Sequence, residues 1–313
     1  MAFEVLITEQ IHPAGIEVLA GHANVNFAPD TSPDTLEKLI RTADGAIFRT
    51  LATCDRALID AAPRLKVIGR HGVGVDNIDV DYAHSKSIPV VYTPEANSQS
   101  VAEHTVGLML ALNRRLAPGD QAVRSGAWKM REQFKGMELS GAQLAVVGAG
   151  RIGSRVARIC QRGLGMNVNY FDIERKSDME KEGISFAMPD DLYPQADILT
   201  VHIPKNDDTI NLIDGRALSM LKSGSLVINA ARGGIVDEDA LVEALDSGHI
   251  LGAALDVFSQ EPLPLEHPLM RCDNVLFSPH IASNTEDAKR RMSLVTEDIL
   301  AVLQGRAPKY PVM

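Results

Sequence analysis

Residues 144–161 read LAVVGAGRIGSRVARICQ, and 168–172 follow with VNYFD. The apolar run Leu144–Val147 has the bulk and length of a buried strand. It stops at Gly148, and Gly148, Gly150 and Gly153 take a GxGxxG spacing that opens the helical pattern beyond. Gly148 permits a tight turn, Gly150 lets the backbone approach a ligand, and Gly153 lets helix and strand pack closely. The free N–H groups and positive dipole end of such a helix suit a pyrophosphate. Asp172 ends the next apolar run, 19 residues after Gly153. Its carboxylate can accept hydrogen bonds from ribose hydroxyls and repels a 2′-phosphate. A glycine turn alone is a weak signal. Strand, turn, helix and acid in this order point to a dinucleotide site, with NAD preferred over NADP. Arg175 and Lys176, just behind, weaken that preference.

The same alternation continues on both sides. Downstream, Ile198–His202, Leu226–Asn229, Ala253–Val257 and Val275–Ser278 read as strands. Upstream, Phe3–Thr8, Val25–Phe27, Ala46–Arg49, Leu65–Gly69 and Val90–Tyr92 alternate with helical patterns at Ala14–Ala20, Pro33–Thr42, Asp55–Ala62 and Asp79–Ser85. Strands separated by helices of this length form parallel sheets covered on both faces. Longer helices are expected at the junctions, over Ser98–Leu116 (N-capped by Ser98 or Ser100) and Thr285–Leu303. The simplest assembly is α/β with two doubly wound parallel-sheet domains. Residues 101–283 are then inserted into a domain built from 1–100 and 284–313.

Composition narrows the function. The 313 residues are 45% hydrophobic but only 4% aromatic, which fits cores of Val, Ile, Leu and Ala. A net charge of −10 argues against nucleic acid as the partner. No long apolar run or basic leader suggests a membrane or secretion, so a cytoplasmic protein is expected. Cys54, Cys160 and Cys272 lack CxxC spacing, which fits a reducing compartment and no metal site. Cys160 reads as core, and Cys54 as an inert thiol rather than a redox sensor.

Three charged groups fall at or just beyond carboxyl ends of expected strands, where open α/β sheets bind ligands. They are Arg232, Glu261 and His280. This set suits hydride chemistry at a 2-oxo acid. A cation binds the carboxylate and polarises the carbonyl, a His gives or takes the hydroxyl proton, and a carboxylate orients the His and raises its pKa. His202 also ends a strand and competes with His280 for the proton-transfer role. His71 either touches substrate or makes a structural bond. His104, within the junction helix, reads as packing.

The blocks GVGVDNID (72–79), SVAEHTVGLMLALNR (100–114), VVGAGRIG (146–153), NAARGGIVDEDAL (229–241), ALDVFSQEP (254–262) and SPHIAS (278–283) occur in one order. In these the chain resembles the D-isomer-specific 2-hydroxyacid dehydrogenase family over nearly its whole length, and within it the phosphoglycerate dehydrogenase-like branch. The resemblance implies a Rossmann NAD-binding domain inserted into a flavodoxin-like substrate domain. It also implies an NAD-dependent enzyme moving a hydride to or from C2 of a small 2-hydroxy or 2-oxo acid. Arg232, Glu261 and His280 take the catalytic roles above. Cofactor contacts fall on Gly148, Gly150, Arg151, Ile152, Gly153, Asp172, His202, Pro204, Thr209, Ala230 and Ala231, with Asp256 at the nicotinamide carboxamide. Substrate contacts fall on Arg49, Val73, Gly74 and Asn97, reaching into an interdomain cleft, with Arg232 and His280 opposite. Lys205-Asn206 depart from the family's usual Leu-containing pair. Ser125–Arg131, with the only Trp, is expected at a homodimer contact. The chain ends at Met313, so no appended regulatory domain is expected. Hydroxypyruvate or glyoxylate reduction is the nearest alternative. A non-catalytic NAD(H)-sensing protein of the same fold is a reading from another class. Formate dehydrogenase is disfavoured, because that branch has Gln where this chain has Glu261.

Overall fold

Short apolar strands joined by helices leave the chain one economical arrangement, and it adopts that arrangement twice. The computed structural model describes residues 2–313. One unit is the chain up to Asn97 together with Asn284–Met313, and the other is Ser98–Ser283.

The first unit has β1 (Phe3–Ile7), β2 (Ala23–Phe27), β3 (Gly45–Phe48), β4 (Val67–Arg70) and β5 (Val90–Val91). They are parallel, in the order β2-β1-β3-β4-β5. Alternate side chains take opposite faces, as the pleat demands. Leu6, Ala46, Phe48, Ile68 and Val90 pack with Leu36, Ile40 and Leu58, while Val5, Ile7, Ile47, Val67 and Val91 pack with Val295, Ile299 and Leu303. The last helix lies flat on the sheet because Gly69 carries no side chain: a β-carbon there would stand 2.9 Å from Ile299 Cδ1.

The second unit contains β6 (Gln143–Val147), β7 (Asn167–Phe171), β8 (Ser185–Phe186), β9 (Ile198–Val201), β10 (Ser225–Asn229), β11 (Ile250–Leu255) and β12 (Val275–Phe277). The order β12-β11-β10-β9-β6-β7-β8 is again all parallel. Helices Ser98–Asn113 and Gly153–Leu164 cover one face, and Gly215–Met220 and Glu238–Asp246 cover the other. Chain order reverses beside β6, which lies between β7 and β9, and such a switch point opens a crevice at the strands' carboxyl ends.

Both long junction helices are in fact broken. The first ends at Asn113, Arg115 turns left-handed with φ 53°, and Leu116 opens a separate helix to Arg124. Asn113 is drawn aside by Met137, whose N–H it accepts at 3.1 Å and whose carbonyl it meets at 2.9 Å. Pro118 has no N–H for the carbonyl of Arg114, so the helix could not have run on. Ser98 and Ser100 both lie inside the helix and are buried, so neither is its cap. The second junction helix divides into Glu286–Ser293 and Val295–Leu303, with Leu294 between them. There Thr296 Oγ1 donates to the Ser293 carbonyl and Ser293 Oγ to that of Arg290, which competes with the helical ladder. The expected strand over 253–257 instead spans Ile250–Leu255, and the short β8 was not foreseen.

All three cysteines are buried free thiols, and burial pushes Cys54 and Cys160 up to about 12, far from reactivity. No helix among the described residues is long and apolar enough to cross a membrane.

Candidate active site

The glycine turn follows β6. Gly148 has φ 90°, and a β-carbon on it would meet the His202 carbonyl at 2.6 Å. Gly153 begins its helix against the Gly148 carbonyl, where no β-carbon fits, whereas the corresponding position at Gly150 opens into free space. Two glycines are therefore needed by the turn itself, and the third leaves room over the helix N-terminus for a phosphate-bearing ligand. Arg151 and Ile152 complete the turn. Asp172, just past β7, accepts the Ala149 N–H at 2.7 Å and the Glu174 N–H at 3.1 Å, tying the strand end to the turn. Arg175 is turned away, held by Glu180 at 2.9 Å, and Lys176 lies 3.3 Å from Glu174. Lys176 Nζ also stands 3.9 Å from Asp172 Oδ1, so the carboxylate expected at the ribose keeps one cation near it. This donor set fits NAD.

His202, the rival proton carrier, follows β9. Its Nε2 pairs with Thr200 Oγ1 at 3.0 Å, and burial pushes it down to about 3, so it stays neutral. A neutral ring buried behind the glycine turn makes a poor acid. Pro204 and Thr209 close the next turn, Thr209 Oγ1 donating to the Pro204 carbonyl at 2.8 Å. Lys205 points back toward Gly234, its Nζ 3.1 Å from where a β-carbon would be.

Arg232, Glu261 and His280 follow the adjacent strands β10, β11 and β12. Ala230 and Ala231 lead out of β10, and Asn229 shapes the turn by accepting the Ala231 N–H at 3.0 Å and donating to the Arg232 carbonyl at 3.0 Å. Gly233 then packs on the Phe258 carbonyl so closely that no side chain could fit. The Arg232 turn is thereby pressed against the loop bearing Glu261. Glu261 Oε1 accepts the Phe258 N–H at 3.0 Å, and Oε2 meets His280 Nδ1 at 2.7 Å. The hydrogen bond to Glu261 raises His280 above its ordinary pKa, against burial and the positive charge of Arg232. Burial would raise Glu261, but the bonds from His280 and Phe258 outweigh it and hold the carboxyl low. The pair is thus a carboxylate-oriented imidazole beside a fixed cation.

In the first unit, the expected substrate-side residues follow β3 and β4. The Arg49 loop is pinned by Glu9, which accepts the Thr50 and Leu51 N–H groups, and by Asn77, which donates to the Arg49 carbonyl at 3.1 Å. Beside it, Val73 and Gly74 lie in a turn clamped by Arg70, which donates to the carbonyls of His71 and Gly74. Desolvation, with the nearby charges of Arg49 and Arg70, pushes the buried His71 down to about 4. Asn97 ends this part of the chain and keeps a buried Oδ1.

Sequence reasoning passed over two participants, His104 and Ser278. His104 does more than pack: its Nε2 lies 3.1 Å from Ser278 Oγ, which in turn donates to Asp256. Nothing in a helical apolar pattern signals this, because the partners lie 174 positions apart.

Strand order, glycine turn and Asp172 together define an α/β dinucleotide-binding protein. Comparison with known proteins is more specific. Residues 106–282 match the family described as D-isomer specific 2-hydroxyacid dehydrogenase, NAD binding domain. A glyoxylate reductase of Thermofilum pendens is 39% identical over 97% of this chain and 93% of its own length. A D-3-phosphoglycerate dehydrogenase of Archaeoglobus fulgidus is 39% identical over 96% of this chain, which spans only 58% of that relative. Among solved structures, the TT0316 protein of Thermus thermophilus superposes with a TM-score of 0.92 at 35% identity, covering 99% of this chain and all of that one. The D-lactate dehydrogenase of Aquifex aeolicus, complexed with NAD and lactic acid, gives 0.86 at 29% identity, covering 96% of each chain. The chain belongs to the D-isomer specific 2-hydroxyacid dehydrogenase family and carries its NAD-binding domain.

Asp172→Ser should cut the ratio of NAD to NADP efficiency by about tenfold, the scale of one hydrogen bond to a charged acceptor. Equal use of both cofactors by the unmodified protein would contradict the role given to Asp172.

Proposed function

We propose that the protein is an NAD-dependent dehydrogenase interconverting a small 2-hydroxy acid and its 2-oxo acid. The observation that carries this reading is the 2.7 Å contact between His280 Nδ1 and Glu261, beside Arg232. NAD(H) supplies or accepts the hydride at C2. The Arg232 guanidinium binds the substrate carboxylate and draws electron density from the carbonyl. His280 delivers the proton to the oxygen in reduction, so that C=O becomes CH–OH, and recovers it in oxidation. Glu261 orients the ring and stabilises the imidazolium. The turn that Gly148 and Gly153 permit would offer the pyrophosphate its helix N-terminus over Gly150, Asp172 would hold the ribose, and Pro204, Thr209, Ala230 and Ala231 would line the rest of the cofactor site. Val73, Gly74 and Asn97 are assigned to the substrate.

Within the family we favour a phosphoglycerate-like substrate over glyoxylate, a small 2-oxo acid bearing a polar or anionic group at C3. Support comes from Arg49, a cation in a loop held by Glu9 and Asn77. Exposed Leu116, Val123, Trp128 and Met130 support a homodimer. Light scattering should then give twice the 33.9 kDa of the chain, and a mass of one chain would refute the dimer.

A panel of 2-oxo acids with NADH tests the substrate. Arg49→Ala should raise KM strongly for C3-anionic acids and much less for pyruvate, and best turnover with pyruvate would remove the phosphoglycerate-like reading. Replacing His280 by Ala should cost about 10²–10⁴-fold in rate. The pH profile follows from the pair. Reduction needs protonated His280, so it should persist through neutrality and fade as pH rises past the raised pKa. Oxidation should rise over the same window. Glu261→Gln removes the charge, so both limbs should move to lower pH, and an unmoved reduction limb would leave Glu261 without its electrostatic role.

A further inference from the structure

Asp256 lies just beyond β11 and is fully buried. A buried carboxylate is tolerated only when donors satisfy its oxygens. Oδ1 accepts Ser278 Oγ–H at 2.5 Å and the Ile281 N–H at 3.0 Å, and Oδ2 accepts the Ala282 N–H at 2.9 Å. The Asp256 backbone carbonyl accepts the His280 N–H at 2.8 Å. All three amides belong to the turn that presents His280, whose φ of 53° is left-handed. A residue with a side chain keeps that conformation only where its surroundings impose it. Here Asp256 imposes it.

The carboxylate is itself held from behind. Ser278 gives its one hydroxyl hydrogen to Asp256, so its oxygen can only accept from His104 Nε2, 3.1 Å away. That nitrogen therefore carries a proton, and it also stands 3.4 Å from Asp256 Oδ1. Burial alone would raise the Asp256 carboxyl, but the bonds from His104, Ser278 and the two amides outweigh it and keep the group ionised. Asp256 is thereby a scaffold for the His280 turn, and Oδ2, which takes the Ala282 N–H, keeps a lone pair for the nicotinamide carboxamide assigned to this residue.

We propose that His104, acting through Ser278 and Asp256, is a positioning residue that fixes the backbone of His280 in its proton-transfer orientation. The proposal rests on His280 being the acid/base. Three variants test it: His104→Leu removes the donor, His104→Gln retains an N–H, and Ser278→Ala breaks the link from the other side. The readouts are kcat and KM for a 2-oxo acid that the wild type reduces, NADH affinity by fluorescence, and hydrogen exchange of the peptide spanning 278–283. His104→Leu and Ser278→Ala should lower kcat about tenfold or more, the scale set by a small misplacement of a reacting group. NADH affinity should stay within about twofold while exchange at 280–282 speeds up, and His104→Gln should restore most of both. Unchanged kcat, or unchanged exchange in His104→Leu and Ser278→Ala, would overturn the proposal. So would weakened NADH binding at normal kcat, which would mean that the chain of bonds serves the cofactor. A wild type that reduces no 2-oxo acid would instead defeat the catalytic reading, and the exchange comparison would still judge whether His104 holds the turn.

Discussion

A parallel sheet sends every strand's carboxyl end to the same edge, and the chemistry proposed for this protein depends on that constraint. In the second unit, β6 delivers the glycine turn, β7 Asp172, β9 His202, β10 Arg232, β11 Asp256 and Glu261, and β12 His280. Gly148 and His202, far apart in the chain, become neighbours because β6 and β9 share a direction. The first unit obeys the same rule, with Arg49 after β3 and the clamped turn of His71–Gly74 after β4.

Gathering charged groups at one edge is useful only if each is held still. Asn229 shapes the Arg232 turn, Phe258 and Gly233 lock that turn to the Glu261 loop, and Asp256 anchors the His280 turn. Main-chain donors do most of this holding. Arg232 can then lower the His280 pKa without prevailing, because the Glu261 bond is direct and short. The result is an imidazole whose charged form is stabilised by a carboxylate and opposed by a cation, an arrangement suited to proton transfer.

Much of this was legible in the sequence, for identifiable reasons. Glycine spacing and apolar runs are local signals, so the cofactor turn and most strands could be read directly. Arg232, Glu261 and His280 stood out because each punctuates a strand end beside Gly or Pro. Pro118 announces that the first junction helix must stop, but its end at Asn113 depends on a partner at Met137, and the break at Leu294 depends on hydroxyl bonds within the helix, neither of which the sequence displays. The same holds for His104, whose helical position looks like packing until β12 brings Ser278 beside it. Long-range partners chosen by the fold leave no periodicity behind them.

The central claim is that a hydride passes directly between nicotinamide and C2 while His280 handles the proton. It is tested most directly by supplying NADH deuterated at the transferred C4 position, together with a reducible 2-oxo acid in ordinary water. The account predicts a product with one deuterium on C2, none lost to solvent, and ordinary hydrogen on the new hydroxyl. A product carrying protium at C2, or deuterium appearing in the solvent, would contradict it.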